Sequence, residues 1–212
     1  SEMCIRDRSK GSTTNPNIIA EIQGKKDSKV IVLGAQLDSW DIGEGAIDDG
    51  TGVAQCIEVL RTLKALGYEN NHTIRVVLYA NSENGGQGRE MYAAYVKKKE
   101  EKHVFALGTD AGGYSPRGFS LDMPPQRRKQ IFEWKNYFLP YGIYDFDQTY
   151  AIQDISPLKK LDIPLAELVV DTQRYFDYHH SAEDTFDKVN KRELLLGAVA
   201  MTQLIFMIDK NW

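Results

Sequence analysis

Carboxylates are concentrated in one stretch of the chain, GAQLDSWDIGEGAIDDG, which covers residues 34–50. It contains four aspartates and one glutamate directly after an apolar run. Side chains of like charge that meet in one place repel each other unless a cation neutralises them. The stretch therefore favours a metal site, although any single acid, such as Asp38, Asp41 or Glu44, also suits a helix cap or a turn.

Three later stretches carry side chains that suit the same chemistry. They contribute a serine, a glutamate, an aspartate and a pair of histidines, namely Ser82, Glu83, Asp110, His179 and His180. Each of these stretches follows a run of residues that predicts a β-strand. Because carboxylates and imidazoles are ligands of Zn²⁺ in catalytic sites, the set indicates a zinc centre where the strand ends meet.

The elements that must position these side chains are strands that alternate with helices. Apolar runs predict strands at 17–23, 29–35, 73–80, 103–107 and 164–170, the first two as an antiparallel pair. Apolar residues spaced by three and four predict helices over 50–66, after 88, within 123–139 and over 192–208. We therefore expect an α/β fold with a mostly parallel central sheet and helices on both faces, whose carboxyl edge binds the ligand.

Composition excludes several classes of protein. The 212 residues, 42% of them hydrophobic, suffice for one α/β domain. A net charge of -4 gives no field that attracts nucleic acid, and no apolar run is long enough for a membrane span. We assign 17–212 to one catalytic domain, and interpret 1–16 as a disordered end or a remnant of cloning or sequencing.

Four motifs together resemble the co-catalytic di-zinc exopeptidases, the family of the secreted bacterial aminopeptidases and of plasma glutamate carboxypeptidase (carboxypeptidase Q). The motifs are QLDSWDIGEGAIDDG, SENGGQG, TDAG and HHSAEDT, in this order along the chain. Any one of them alone is weak, whereas four in register are specific, and the likeness covers nearly all of 17–212. The resemblance implies a zinc exopeptidase (aminopeptidase-like) fold, zinc as the cofactor and a short peptide or dipeptide as the substrate.

The resemblance also implies a role for individual residues. Five positions match zinc ligands: Gln36 and Asp110 at the first zinc, Asp48 between both zincs, and Glu83 and His180 at the second zinc. Asp38 matches the acid that orients the ligand at position 36. Ser82 occupies the place of the general-base glutamate, and His179 matches no ligand position.

Two of these residues depart from the pattern of the family. Gln36 offers a neutral amide where the family has an imidazole, so the first site keeps only Asp48 and Asp110 as strong ligands. The hydroxyl of Ser82 is not a usable base near neutral pH, and loss of a positioned base costs a factor of about 10² to 10⁴ in rate. We expect one zinc per chain, two at most, and an activity that is weak or lost.

Two functions are left open by the sequence. The first is a zinc metallo-exopeptidase of the aminopeptidase or dipeptidase class that hydrolyses short peptides. The second is a catalytically silent pseudo-peptidase that binds a peptide or protein partner through the inherited cleft. The intact ligands favour the first, whereas Gln36 and Ser82 favour the second.

Three further residues are candidates for substrate binding. Asp154 aligns with an acid near the substrate amine in relatives, but an aspartate before Ser-Pro also suits a helix cap. Tyr175 and Tyr178, with Phe176 between them, either line a specificity pocket or pack structurally.

Relatives usually begin this domain with additional helices, and many insert a protease-associated domain before the strand that starts near Lys29. Either this chain is a fragment truncated at its N-terminus, or it folds without part of the helical layer. In the second case an exposed apolar face should drive homodimerisation. Family habit suggests a secreted or extracytoplasmic location, and the sequence itself assigns none.

Overall fold

A computed structural model describes residues 15–151 and 154–212. Its centre is a six-stranded sheet with the strand order β1-β3-β2-β4-β6-β5. The strands are β1 (Ile18–Ile22), β2 (Val30–Gln36), β3 (Thr73–Tyr79), β4 (His103–Gly108), β5 (Pro116–Asp122) and β6 (Leu165–Val170). The prediction for residues 1–16 falls almost wholly outside the described residues.

Six α-helices connect or follow these strands in the described part of the chain. They are α1 (Thr51–Ala65), α2 (Gln87–Lys99), α3 (Pro125–Glu133), α4 (Lys135–Phe138), α5 (Tyr175–Tyr178) and α6 (Lys191–Asn211). Short helical turns lie at Ala46–Gly50, Leu139–Tyr141, Ser156–Leu161, Thr172–Arg174 and Phe186–Lys188. Within these described segments, no helix combines the length and the hydropathy that crossing a bilayer requires.

The sheet is parallel at its centre and antiparallel at its two edges. The pairs β2–β3, β2–β4 and β4–β6 are parallel, which confirms the predicted α/β architecture. The predicted antiparallel pairing of the first two strands is wrong, because β1 pairs with β3 and β2 lies between β3 and β4. All seven residues of β2 are buried, as in a strand covered on both faces, whereas β1 is largely exposed and suits an edge.

The sequence did not predict β5, the other edge strand. It begins with Pro116 and contains Gly118, two residue types that are depleted in strands and weaken the sequence signal. Gly118 lies against the backbone of Asp145, where a Cβ atom would clash. An edge strand tolerates both residues because one of its sides has no partner strand.

Apolar cores lie on both faces of the sheet, since successive residues of a strand point to opposite faces. Ile31 and Leu33 of β2 join the core under α1 and α6, whereas Val30 and Val32 join the core under α2 and the Ser156–Leu161 turn. The prediction of helices on both faces is therefore confirmed.

The buried stripe of α1 differs from the predicted one. The spacing of apolar residues places Ile57 on the inner face, but Ile57 is 50% exposed, and Cys56 and Val59 are buried instead. Gln55 points inward as well, and its Oε1 accepts a hydrogen bond of 2.9 Å from Thr109 Oγ1 after β4. A buried polar residue with a partner thus rotates the helix away from the orientation that apolar spacing predicts.

Candidate metal centre

Side chains from three loops at the carboxyl edge of the sheet meet in the structure. His180 Nε2 lies 3.4 Å from Asp48 Oδ2 and 3.4 Å from Glu83 Oε2. Asp48 belongs to the loop after β2, Glu83 to the loop after β3, and His180 to the segment after β6. The three residues predicted to bind the second zinc are neighbours, and this donor set fits a zinc ion.

The backbone is left-handed at two points of this cluster. Asn81, which precedes Ser82 and Glu83, has a φ of 62°, and His180 has a φ of 56°. Residues other than glycine adopt positive φ rarely, and such residues cluster at active sites and ligand clamps. The conformation supports a functional interpretation of both segments.

Gln36, at the end of β2, binds the carboxylates of this cluster through its amide nitrogen. Nε2 lies 2.7 Å from Glu83 Oε1 and 3.2 Å from Asp48 Oδ1, and it also donates to the backbone oxygen of Asp38 at 3.3 Å. Ionised carboxylates only accept hydrogen bonds, so the donor end of the amide must face them. A cation at Asp48 Oδ1 would meet the amide protons of Gln36, and the first zinc site therefore does not fit the residues present.

Asp48 is buried and is held in place from another loop. Burial, followed by the charges of Glu83 and Asp184, raises the pKa of Asp48 to about 7. The Asp184 carboxylate accepts hydrogen bonds from the backbone N–H groups of Ile47 at 2.6 Å and of Asp48 at 3.1 Å. Sequence reasoning gave Asp184 no role, although it lies in the HHSAEDT motif. Asp184 positions the acid that the metal needs.

Asp110, after β4, is the other acid that was predicted to bind the first zinc. Its Oδ1 is buried and has no hydrogen-bond partner among the described residues. Burial, and after it the charges of Asp154 and Asp48, raises the pKa of Asp110 well above its usual range. With Gln36 excluded, only Asp48 and Asp110 are left of the predicted first site, one ligand fewer than zinc takes from protein in catalytic sites.

The carboxylate of Asp38, which was predicted to orient the ligand at position 36, contacts another loop. It accepts hydrogen bonds from the backbone N–H groups of Ser82 at 2.8 Å and of Glu83 at 3.2 Å. An imidazole could offer Asp38 a ring N–H, whereas the amide of Gln36 contacts only the Asp38 carbonyl oxygen. Asp38 therefore positions the loop that carries Glu83.

Ser82 donates a hydrogen bond from Oγ to Asp154 Oδ1 at 2.7 Å. Asp154 is 1% exposed, and its Oδ2 has no hydrogen-bond partner among the described residues. Burial raises the pKa of Asp154, and the hydrogen bond from Ser82 opposes that shift. Asp154 does not cap the turn Ser156–Leu161, because the N-cap position belongs to Ile155. The carboxylate of Asp154 thus contacts the residue in the place of the general base but does not itself occupy that place.

Trp40 contacts two residues of the cluster. Its Nε1 donates to Glu83 Oε2 at 2.9 Å, and its ring centroid lies 4.7 Å from that of His180. Trp40 is 46% exposed, so it is not enclosed within its loop. Trp40 instead forms a wall of the site, which no local sequence signal distinguishes from a packing tryptophan.

The tyrosines predicted to bind substrate are both partly buried. Tyr175 is half-buried and its ring centroid lies 4.7 Å from that of His179. Burial and nearby acids, Asp48 first among them, raise the pKa of Tyr175 far above its usual range. Tyr175 and Tyr178 both pack against the apolar core, whereas Phe176 is 79% exposed. Tyr175 is therefore the better placed of the two predicted tyrosines to border the site.

The chain is similar to known proteins over almost its whole length. The model of Peptidase family M28 matches residues 17–205. Carboxypeptidase Q of Xenopus laevis is 32% identical over 196 residues, which amount to 91% of this chain and 41% of that protein. The chain therefore spans less than half the length of this relative.

Solved structures agree with the family match. The Peptidase M28 precursor from Shewanella amazonensis SB2B has a TM-score of 0.86 and 34% sequence identity, covering 91% of this chain and 44% of that chain. The zinc aminopeptidase BSAP from Bacillus subtilis has a TM-score of 0.73 at 18% identity, covering 90% and 49%, and shows likeness of fold alone. The predicted aminopeptidase-like fold is confirmed.

Proposed function

Because the chain belongs to peptidase family M28, we propose that it is a zinc exopeptidase-like protein with one zinc per chain and a weak hydrolytic activity on short peptides. Asp48, Glu83 and His180 would hold the zinc. When bound, zinc polarises a scissile carbonyl and acidifies a water molecule. The relatives are longer than this chain. The substrates of a whole protein of that length are therefore part of this proposal.

The contact that carries the proposal is the pair of hydrogen bonds from Gln36 Nε2 to Asp48 and Glu83. A neutral amide holds the two carboxylates together where the family has a zinc ligand. This supports a single zinc on the His180 side of the carboxylates, since the opposite side is occupied by N–H donors.

The weak activity follows from the contact between Ser82 and Asp154. The hydroxyl of Ser82 donates a hydrogen bond to Asp154. Ser82 itself has no carboxylate that could accept a proton from water. Loss of a positioned general base reduces the rate by a factor of about 10² to 10⁴. Binding and orientation by the remaining residues are unaffected, so the expected rate is reduced and not zero.

The substrate would be a short peptide that binds along Trp40 and the segment after β6, which contact each other through Trp40 and His180. Tyr175 borders this segment beside His179 and is proposed to contact a substrate side chain. Asp154 is 1% exposed, so it can act on a substrate only through Ser82. We propose no contact for Tyr178 beyond its support of the segment.

The second candidate is a silent peptide-binding protein, and the Gln36 amide favours it by a separate argument. Hydrogen bonds from Gln36 keep Asp48 and Glu83 in place without a cation, so the cleft retains its shape even if no metal is bound. In that case the protein binds peptides without cleaving them.

Metal content and hydrolysis measured on the same protein separate the two candidates. The chain is incubated with excess zinc, desalted and analysed by elemental mass spectrometry, and release of amino acids from dipeptides is followed. We expect about one zinc per chain and slow release, with both lost in His180→Ala. Two zincs per chain would refute the single site. Retention of one zinc with no more release than the His180→Ala variant would favour the silent binder.

A further inference from the structure

His179 lies at the zinc site although the sequence resemblance assigns it no role. Its Nε2 is 3.5 Å from Asp48 Oδ2, and the Nε2 of His180 is 3.4 Å from the same oxygen. One ligand atom from each of Asp48, His179 and His180 lies within 4.8 Å of the other two. Two neighbouring imidazoles therefore face one carboxylate oxygen.

The spacing of these atoms suits metal ligands better than hydrogen bonds. Zinc–ligand distances of about 2.0 to 2.2 Å place neighbouring ligand atoms of a tetrahedral site about 3.3 to 3.5 Å apart. The separations from Asp48 Oδ2 to the two imidazoles, and from His180 Nε2 to Glu83 Oε2, are 3.4 to 3.5 Å. Hydrogen bonds between nitrogen and oxygen are shorter, about 2.7 to 3.2 Å.

The oxygens of the two acids are divided between different partners. Gln36 binds Asp48 Oδ1 and Glu83 Oε1, while Asp48 Oδ2 and Glu83 Oε2 lie toward His180. The amide therefore fixes which oxygen of each carboxylate is available to a cation on the histidine side. His179 lies on that side as well, beside Asp48 Oδ2.

Ring contacts hold His179 in this position. Its ring stacks on that of His180, with centroids 3.5 Å apart and planes at 25°, and contacts the tilted ring of Tyr175, with centroids 4.7 Å apart and planes at 35°. Its side chain is 28% exposed, so the ring is not free in solvent. A ring fixed between two others loses little further freedom when it binds a metal.

We propose that His179 is a further ligand of the single zinc, beside Asp48, Glu83 and His180. The imidazole of His179, in the segment after β6, then replaces the imidazole that the family has at the position of Gln36. This inference rests on the proposed function, because it requires that a zinc ion is bound. It differs from the di-zinc pattern in the number of imidazoles at one metal.

The experiment is X-ray absorption spectroscopy of the full chain loaded with one equivalent of zinc. We expect scattering from two imidazoles per zinc. In His179→Phe, which keeps a stacking ring but has no ligand atom, the count should fall to one. Competition with a chelator should show that the zinc Kd of this variant rises at least about tenfold. Loss of a residue that only supports a ligand already weakens metal binding about 10-fold to 100-fold, and loss of a ligand should cost no less.

Tyr175→Phe is the matched control, because it preserves the ring contact with His179 and removes only a hydroxyl. Its zinc Kd and imidazole count should equal those of the unchanged chain. One imidazole per zinc in the unchanged chain would overturn the role of His179 while leaving the single-zinc proposal intact. This measurement on the unchanged chain tests the role of His179 even if His179→Phe does not fold. No retained zinc would overturn the proposed function itself.

Discussion

One residue, Gln36, determines what the acidic cluster can bind. An imidazole presents a lone pair to a cation, whereas the amide nitrogen of Gln36 presents protons to Asp48 and Glu83. In the proposed function, Gln36 therefore holds Asp48 and Glu83 together where the family pattern has a metal ligand. Ser82 changes the chemistry in a similar way, since its hydroxyl is bound to Asp154 and offers no base.

Restoring both residues should restore hydrolysis. In Gln36→His with Ser82→Glu, we expect a second zinc per chain and an increase in dipeptide hydrolysis of at least the factor of about 10² to 10⁴ that a general base contributes. Steady-state kinetics and metal analysis of the same sample measure both effects. The single variant Gln36→His is the control, since it should gain zinc without gaining the base. A double variant that binds two zincs and stays inactive would show that other differences silence the site.

Loops at the carboxyl edge of the sheet position one another through aspartates. Asp38, after β2, binds the backbone of Ser82 and Glu83, after β3. Asp184, before α6, binds the backbone of Ile47 and Asp48 in the turn before α1. A carboxylate that accepts two backbone N–H groups fixes the loop more firmly than one neutral acceptor. The proposed ligands Glu83 and Asp48 are therefore positioned by residues outside the proposed ligand set.

We predict that Asp184→Asn weakens zinc binding. The asparagine side chain has one acceptor oxygen, so one of the N–H groups of Ile47 and Asp48 loses its partner. Zinc affinity measured by chelator competition should fall by a factor of about 10 to 100. The free energy of unfolding in urea should fall by about 1 to 3 kcal/mol. Asp187→Asn, an exposed position of the same segment, is the control, and equal zinc affinities in both variants would contradict the positioning role.

For the whole molecule, the concentration of buried acids makes stability depend on pH. The pKa of Asp48 is raised to about 7, and that of Asp110 is raised well above its usual range. A carboxyl whose pKa is higher in the folded chain stabilises it fully at low pH and loses that contribution as the pH rises through the folded pKa. His103 has the opposite effect on stability, because burial lowers its pKa to about 4. Its contribution to stability is fully present above pH 6.5, the ordinary pKa of the group, and is lost as the pH falls toward 4.

Between pH 6.5 and 9 only the acids should therefore change the stability. We predict that the free energy of unfolding of the zinc-free protein falls over this range, by at most about 1.4 kcal/mol per pH unit for each buried carboxyl. Asp110→Asn should flatten the dependence, and the exposed control Asp147→Asn should not. Urea unfolding at several pH values measures this change in the free energy of unfolding. An unchanged slope in Asp110→Asn would show that this carboxyl is ionised in the folded protein.

Part of the surface of the molecule is apolar. Leu66 at the end of α1 is 73% exposed, and Val199 and Phe206 on α6 are 46% and 43% exposed. These residues line one groove between the two helices. The homodimer expected from the sequence stays a prediction.

The family, the alternation of strands and helices, and the loops that carry the predicted zinc ligands could be predicted from the sequence alone. These features depend on local patterns and on motifs in order along the chain. The tertiary structure decided the pairing of β1 with β3, the contacts of Gln36 and Asp38, and the place of His179. These depend on residues far apart in the chain, such as Asp48 and Asp184. Local periodicity cannot specify which oxygen of a carboxylate faces an amide and which faces an imidazole, because that is set by packing between loops.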